Sequence, residues 1–499
     1  MTADDRAFPP GEYPVVVVGS GPGGLQTSYY LRRYGIEHAV VSADDGPGGM
    51  FRRFPLFERL ISWTHPIADV PADSTAYEAH DQNSLLADEP QLRSLVTTQL
   101  GDGRRRPTRQ EMAAGLSAFA ERAPVRVRYG CRWIGTSHDG DMIDVTTSDG
   151  DYRCRALVLA VGSTEPWVPP IPGLELDQHY VNVDGTAERY RGQRVVIVGK
   201  RNSAFEVGES LLARGVRELT LVSPRPPDLG RLARSPLRPW YLTPFDEHTR
   251  GAPGRYVLNG SVEAVERDGG EFRLKILDPA MPTPLVLPTD VVIAATGFAT
   301  PLGDLPRLGL ATLGDGRLPA LTPYWESATL PRVFFAGNST QAAPGLRKHG
   351  VASLSSMVCG FRYNARVLAR RIAEEVFDVR LERPEIKRHA VAHHLITQLN
   401  EAAALSMQKG YLASVVTLDE TGARDEGTLP LEAFVDGSGD AVAVTIEFAD
   451  DETIQPVLYI RTASDVREVG LPPHPLRRYH VLAYAKLIDE ALSVARPWG

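Results

Sequence analysis

The stretch Val15-Val16-Val17-Val18-Gly19-Ser20-Gly21-Pro22-Gly23-Gly24-Leu25 constrains the fold more than any other. A continuous apolar run suits a strand buried on both faces of a parallel sheet, and this one turns through glycines into an amphipathic segment, Gln26 to Arg33, that reads as a helix ending near Gly35. Each glycine has a task in such a turn. Gly19 takes the chain tightly off the strand, Gly21 lets the backbone approach a pyrophosphate, and Gly24 lets the helix pack closely on the sheet. The unpaired N–H groups at the helix start favour an anion without any basic side chain. The stretch therefore reads as a dinucleotide cradle.

A single glycine turn of this kind also arises as an ordinary turn, so its repetition matters more than either copy. Arg194-Val195-Val196-Ile197-Val198-Gly199-Lys200-Arg201-Asn202-Ser203-Ala204 lies about 180 residues further on and again turns a strand into a helix, running through Phe205 to Ala213. Two such units suggest two nucleotides in one molecule and electrons passing between them. In the second copy Arg201 replaces the middle glycine, so either its guanidinium pairs with a pyrophosphate or tight binding is lost. The next strand, Leu219 to Val222, leads to Ser223 and Arg225 instead of an acid. A ribose 2′-phosphate would be repelled by an acid but could be held by these two, which favours NADPH over NADH.

In the first unit, the strand His38 to Val41 ends at Ser42, where an acid would normally hold the ribose, with Asp44 or Asp45 as substitutes. Gly46 to Phe51 follows, breaker-rich, and a dinucleotide or flavin could lie along it through Met50 and Phe51 as the chain runs to Trp63. Apolar strands at Ala156 to Gly162 and Asp290 to Phe298, the latter carrying Thr296 and Gly297, mirror each other as crossings between domains, and Pro166 to Pro172 suits a linker. Val333 to Asn338 returns to the first unit, with Gly337 allowing close approach.

Elsewhere, Thr108 is placed to cap a helix through Arg122, and Val125 to Tyr129 alternates like a half-buried strand. Gly350 to Glu375 holds a helix with Met357, Phe361, Val367 and Leu368 inward. From about Arg380 the chain changes to a small α+β appendage: a helix through His393, Leu395 and Leu399, strands Val442 to Phe448 and Pro456 to Ile460, and a helix from Tyr479. The fold class is thus α/β, two Rossmann-like domains plus this appendage.

Composition narrows the function. With 499 residues and 43% hydrophobic content the chain can bury large cores, and a formal charge of −8 argues against nucleic acid as partner. The Arg104-Arg105-Arg106 and Arg109 cluster reads as a solvated loop. Cys131, Cys154 and Cys359 form no closely spaced pair, which removes support for a disulfide framework, a zinc site or a dithiol redox centre. His389, His393 and His394 lack partnering ligands, so no metal is expected. No span approaches the roughly 18 apolar residues of a membrane helix, and the start shows no secretory signal, so a cytoplasmic protein without membrane attachment is expected.

The order of these motifs resembles the two-dinucleotide-domain flavoproteins, which include class B flavin monooxygenases, amine N-hydroxylases and pyridine-nucleotide disulfide oxidoreductases. Within them the chain is most similar to the endoplasmic-reticulum flavoprotein associated with degradation and its bacterial relatives. That likeness rests on Leu60-Ile61-Ser62, His80 to Leu86, Gly199 to Glu206, Gly360-Phe361-Arg362-Tyr363 and His474 to Arg478. It implies an FAD domain in two parts, 1–168 and 301–378, an inserted NADPH domain at 169–300, and the appendage at 379–499. Departures sharpen it. The cysteine pair of disulfide reductases is missing, and Asp177 to Asn182 does not match the FxGxxxH fingerprint of classical flavin monooxygenases.

The resemblance then implies a monooxygenase: hydride passes from NADPH to FAD, and the reduced flavin captures O₂ as a C4a-(hydro)peroxide in a pocket that excludes water. A small nucleophilic substrate suits that oxidant, with amine N-oxygenation in a biosynthetic pathway preferred. Asn83, and after it His80 and Lys348, are placed near the flavin, Asn83 being read equally as a loop cap. The alternative is a reductase passing electrons to a protein or quinone partner through Arg104 to Arg109. The appendage is read as closing the active site or making a homodimer.

Overall fold

A computed structural model describes residues 6–54, 60–101, 104–225, 240–245, 253–348, 353–419, 422–450, 453–463, 465–480 and 482–495. Part of the stretch leading to Trp63 and the start expected for the helix from Gly350 lie outside them. The chain forms two compact units. The first comprises Met1–Arg52, Ser62–Gly162 and Thr300–Gly499, and the second Arg53–Ile61 and Ser163–Ala299.

In the first unit, β1 (Val15–Val18), α1 (Pro22–Arg33) and β2 (His38–Val41) follow in order. Pro22 suits the first turn of α1 because its ring pre-sets the helical φ and the missing N–H has no partner there anyway. Arg32 and Arg33 complement the dipole at the other end. Thr108 caps α2 (Arg109–Arg122) in a reciprocal box with Glu111. Strand β3 (Ala156–Leu159) pairs in parallel with β1.

The second unit holds β4 (Arg194–Val198), α3 (Asn202–Ala213), β5 (Glu218–Val222) and β6 (Val291–Ala294). Its five-stranded sheet is wholly parallel, with β4 between β5 and β6. An antiparallel excursion, Ser261–Asp268, Glu271–Leu277 and Leu285–Thr289, precedes β6.

Back in the first unit, β7 (Val333–Phe335) completes a parallel sheet in the order β7-β3-β1-β2. Helix α4 (Val358–Phe377) packs on α1. The C-terminal region is a six-stranded antiparallel sheet with α5 (Val391–Glu401), the short α6 (Ala403–Met407) and α7 (Leu482–Ala495). One face of that sheet buries Leu395, Leu399 and Ile488, and the other buries Leu431 and Phe434 with Leu346 against them.

Three local expectations change. Val125 to Tyr129 is not a strand: only Arg128 reaches the edge of β2, donating to Val40 O and accepting from Ser42 N. Met357 is the half-buried N-cap of α4, while Phe361, Val367 and Leu368 are buried as expected. The last helix begins at Leu482, and Tyr479 instead fills the core before it.

Candidate functional site

The first cradle is closed on most sides by backbone. Gly19 has φ +115°, and a Cβ there would lie 2.5 Å from Ala160 O. A Cβ on Gly24 would lie 2.0 Å from Gly19 O, and one on Gly23 2.5 Å from Gly337 Cα, so α1 presses against both the turn and the wall after β7. Gly21 differs. Its backbone is extended (φ −72°, ψ 177°), and a Cβ would meet nothing nearer than Gly49 Cα at 3.8 Å. The space in front of the α1 N-terminus is therefore open, with no side-chain cap and no acid in the first turn. Gly49, Met50 and Phe51 form a short helical turn beside it, both side chains half-buried. Across the cradle, Gly337 has φ +74°, and the buried Oδ1 of Asn338 has no hydrogen-bond partner among the described residues. Gly162, at φ +70°, turns the chain out beyond β3.

Ser42 is buried at the end of β2. Its hydroxyl oxygen accepts from Ser20 Oγ at 2.9 Å and from Asp44 N at 3.2 Å, so it holds the turn together.

The second cradle repeats the turn. Gly199 has φ +131°, with a would-be Cβ 2.3 Å from Ala295 O. Arg201 is the exposed N-cap of α3, Asn202 is exposed and Ser203 half-buried, and α3 has neither a side-chain cap nor an acid in its first turn. Ser223 is half-buried and Arg225 exposed, past the end of β5. Thr296 Oγ1 donates to Trp167 O at 2.6 Å, and Gly297 has φ +101°.

Two groups escaped the sequence reading. Lys200 is buried, donating to Leu258 O and Asn259 Oδ1, and burial pulls its pKa down to about 8. Glu206 is 8% exposed on α3. Tyr180 OH donates to its Oε2 at 3.1 Å, its Oε1 has no partner among the described residues, and burial pushes its pKa up to about 7. The available signal was an acid among Ala204, Phe205 and Val207, all buried on the same helix.

The stretch His80 to Leu86 is fixed from three sides. The Asp81 carboxylate accepts from Thr64 Oγ1, Thr97 Oγ1, Asn83 N and Ser84 N. Gln26 of α1 exchanges two hydrogen bonds with the Leu86 backbone, and buried Arg362 of α4 donates to Ser84 O and Glu78 O. Asn83 Nδ2 donates to Thr64 Oγ1 at 2.9 Å, a loop-holding contact. His80 is half-buried, its ring 6.2 Å from that of His65. Lys348 is committed elsewhere, bonding Glu447 at 3.0 Å, Tyr459 and Glu468 of the C-terminal sheet. The three catalytic candidates are thus not brought into one contact cluster.

Arg104 pairs with Glu111, Arg109 donates to Arg52 O, and the Arg105 carbonyl accepts from Thr64 N. The three cysteines are buried and unpaired. Among the described residues no group of three or more His, Cys, Asp or Glu could hold a metal, and no helix is long and apolar enough to cross a membrane.

The chain is 24% identical over 473 residues to FAD-dependent oxidoreductase domain-containing protein 2 of Danio rerio, covering 84% of this chain and 67% of that one. It is 29% identical over 338 residues to a ferredoxin–NADP reductase of Salinispora tropica, covering 66% and 87%. Its fold matches a flavin-containing monooxygenase from Stenotrophomonas maltophilia at a TM-score of 0.55 and 21% identity, over 73% of this chain and 99% of that one. FAD stands in the name of the first of these proteins, NADP in that of the second and flavin in that of the third. The sequence matches the pyridine nucleotide-disulphide oxidoreductase family over residues 16–337, more than half its length, and the chain belongs to that family of flavin-dependent oxidoreductases.

Proposed function

We propose that this chain is an NADPH-dependent FAD monooxygenase that oxygenates a small nucleophilic substrate, with N-oxygenation of an amine as its reaction and O₂ as co-substrate. The observation that carries the cofactor assignment is the open space before Gly21, where the nearest atom a Cβ would meet among the described residues, chain neighbours aside, is Gly49 Cα at 3.8 Å, while its neighbouring glycines are pressed against backbone. The unsatisfied α1 N–H groups would hold the pyrophosphate, and Asn338 Oδ1 would accept from the flavin side of the molecule. In the second cradle Arg201 and Arg225 offer charge for the pyrophosphate and the 2′-phosphate, which supports NADPH.

Bound flavin supplies hydride acceptance and oxygen activation. The protein's part is to hold and to exclude water: Asp81, which accepts from Asn83 N and Ser84 N, and Arg362, which donates to Ser84 O, bind the His80–Leu86 loop into one rigid arrangement. Oxygen insertion is favoured over disulfide reduction because the cysteines are buried and far apart in sequence.

A reductase passing electrons to a protein or quinone partner is the second reading, supported by the name of the Salinispora tropica relative and by the exposed Arg105 and Arg106. Product stoichiometry separates them. One oxygenated amine per NADPH consumed is expected; hydrogen peroxide alone across a panel of amines, with rapid reduction of a ferredoxin or quinone, would replace the first reading by the second.

A further inference from the structure

The C-terminal region reaches the wall of the first cradle through the buried side chain of Gln408. Gln408 follows α6 and is fully buried, as are Asn364, Ser355 and Thr340. Gln408 Nε2 donates to Asn364 Oδ1 at 2.9 Å and to Ser355 Oγ at 3.0 Å, while its Oε1 accepts from Leu354 N at 2.8 Å. Asn364 of α4 donates in turn to Thr340 Oγ1 at 3.0 Å and to Ser355 Oγ at 2.9 Å. Thr340 Oγ1 donates to Gly337 O at 2.6 Å. Gly337 is the residue pressed against Gly23, beside Asn338, whose Oδ1 has no hydrogen-bond partner among the described residues.

An unbroken polar chain thus runs from the C-terminal module to the glycine that faces α1. It leaves little slack. A Cβ on Gly360 would lie 2.1 Å from Leu354 O, so the segment held by Gln408 is also clamped against the first turn of α4. A fully satisfied buried network specifies one arrangement, whereas a network missing one member leaves donors and acceptors that must move to find partners.

We propose that Gln408 is a positioning residue through which the C-terminal module sets the cradle wall at Gly337–Asn338, so that flavin affinity depends on the module. This rests on the reading that the first cradle holds FAD. Hydrophobic contact alone would also dock the module, since Tyr411 packs on Gly345 and Leu346 joins the apolar face. A second polar route leaves the module at Tyr411, whose OH accepts from Trp325 Nε1 at 3.0 Å, but it enters β7 at Phe335, whose N donates to Trp325 O, whereas the Gln408 route ends on the Gly337 carbonyl. The module therefore acts on the flavin site by direction, through hydrogen bonds, and not merely by adding stability.

The test titrates FAD into flavin-stripped, full-length protein and records flavin fluorescence and midpoint potential. Gln408→Met keeps the side-chain length and removes every hydrogen bond; its FAD Kd should rise about tenfold, with a shifted potential. Val416→Ala cavitates the module's own core and destabilises the fold without touching the network, and its Kd and potential should stay at the wild-type values. Should Gln408→Met fail to fold, Ser355→Ala, which removes one acceptor of the network, should raise Kd by a smaller factor. An unchanged Kd in Gln408→Met or in Ser355→Ala, or an equal shift in Val416→Ala, would overturn the proposal. Wild-type protein that takes up no FAD would instead overturn the reading of the first cradle.

Discussion

Gly21→Ala tests the proposed FAD site, because the protein should tolerate the substitution and a dinucleotide bound there should not. The Gly21 backbone is extended, which any residue adopts, and an added Cβ finds only ordinary contact with Gly49 at 3.8 Å. Gly21→Ala should therefore change the stability of flavin-free protein by no more than about 1 kcal/mol. The methyl group would stand where a pyrophosphate must approach the first N–H groups of α1. Hydrogen bonds to a charged group contribute about 1.5–3 kcal/mol each, so displacing two of them costs about 3–6 kcal/mol. That corresponds to roughly a 10²–10⁴-fold weaker Kd for FAD. The assay is the flavin-to-protein absorbance ratio after purification, followed by titration of the stripped protein with FAD, beside thermal unfolding of both stripped proteins. Gly24→Ala is the contrast: its Cβ would lie 2.0 Å from Gly19 O, so it should lower the unfolding temperature of stripped protein as well. Gly21→Ala or Gly21→Val protein that emerges yellow with the wild-type ratio would refute the placement of FAD, because the added carbon would then stand beside the pyrophosphate without displacing it.

Glu206 should make the stripped protein less stable as pH rises. Burial keeps its carboxyl protonated up to about pH 7, against an ordinary 4.5, so between those values the unfolded chain has released a proton that the folded chain keeps, and stability falls by up to roughly 3 kcal/mol. Glu206→Gln should flatten that slope in urea unfolding measured from pH 4 to 8 and be the more stable protein above pH 7; parallel curves would mean the carboxyl is hydrated. Asn83→Ala should cost about 1 kcal/mol through its lost bond to Thr64 and leave the product yield per NADPH unchanged, whereas a collapse of yield with intact flavin would give Asn83 a role in the chemistry. Arg225→Glu should raise KM for NADPH about tenfold with little effect on NADH, and equal effects on the two would remove Arg225 from the 2′-phosphate site.

Both parallel sheets and their glycine turns were legible because the signals are local: a valine or isoleucine run has few structural homes, and Gly19 and Gly199 need a φ that other residues avoid. The capping box at Thr108 was legible for the same reason. What the sequence concealed depends on pairs distant along the chain. Nothing near Gln408 announces that its amide will meet Asn364 of α4, and nothing near Lys348 announces Glu447. Val125 to Tyr129 misled because alternation describes side chains, while a strand also needs a neighbour with free backbone groups, which only Arg128 found. Nor did the sequence announce that Ser42, expected to face a ribose, would also accept from Ser20 Oγ across the turn.

The two cradles share a turn and differ in their walls, and that difference bears on which nucleotide stays. Gly23 lets α1 close against Gly337, so a dinucleotide at Gly21 would be held between a helix terminus and a backbone wall. The corresponding residue in the second cradle is Ser203, half-buried, and the middle position is Arg201, whose guanidinium is exposed. An exposed charge attracts a phosphate from solution but, being hydrated and screened, adds only about 1 kcal/mol once the ligand is seated. A prosthetic group must survive many turnovers, while a hydride donor must leave after each, so the cradle with the backbone wall suits FAD and the one with the exposed guanidinium suits NADPH. Gel filtration of protein incubated with both should retain flavin at one per chain and lose NADPH, and protein that retained the nicotinamide while shedding flavin would reverse the assignment of the two sites.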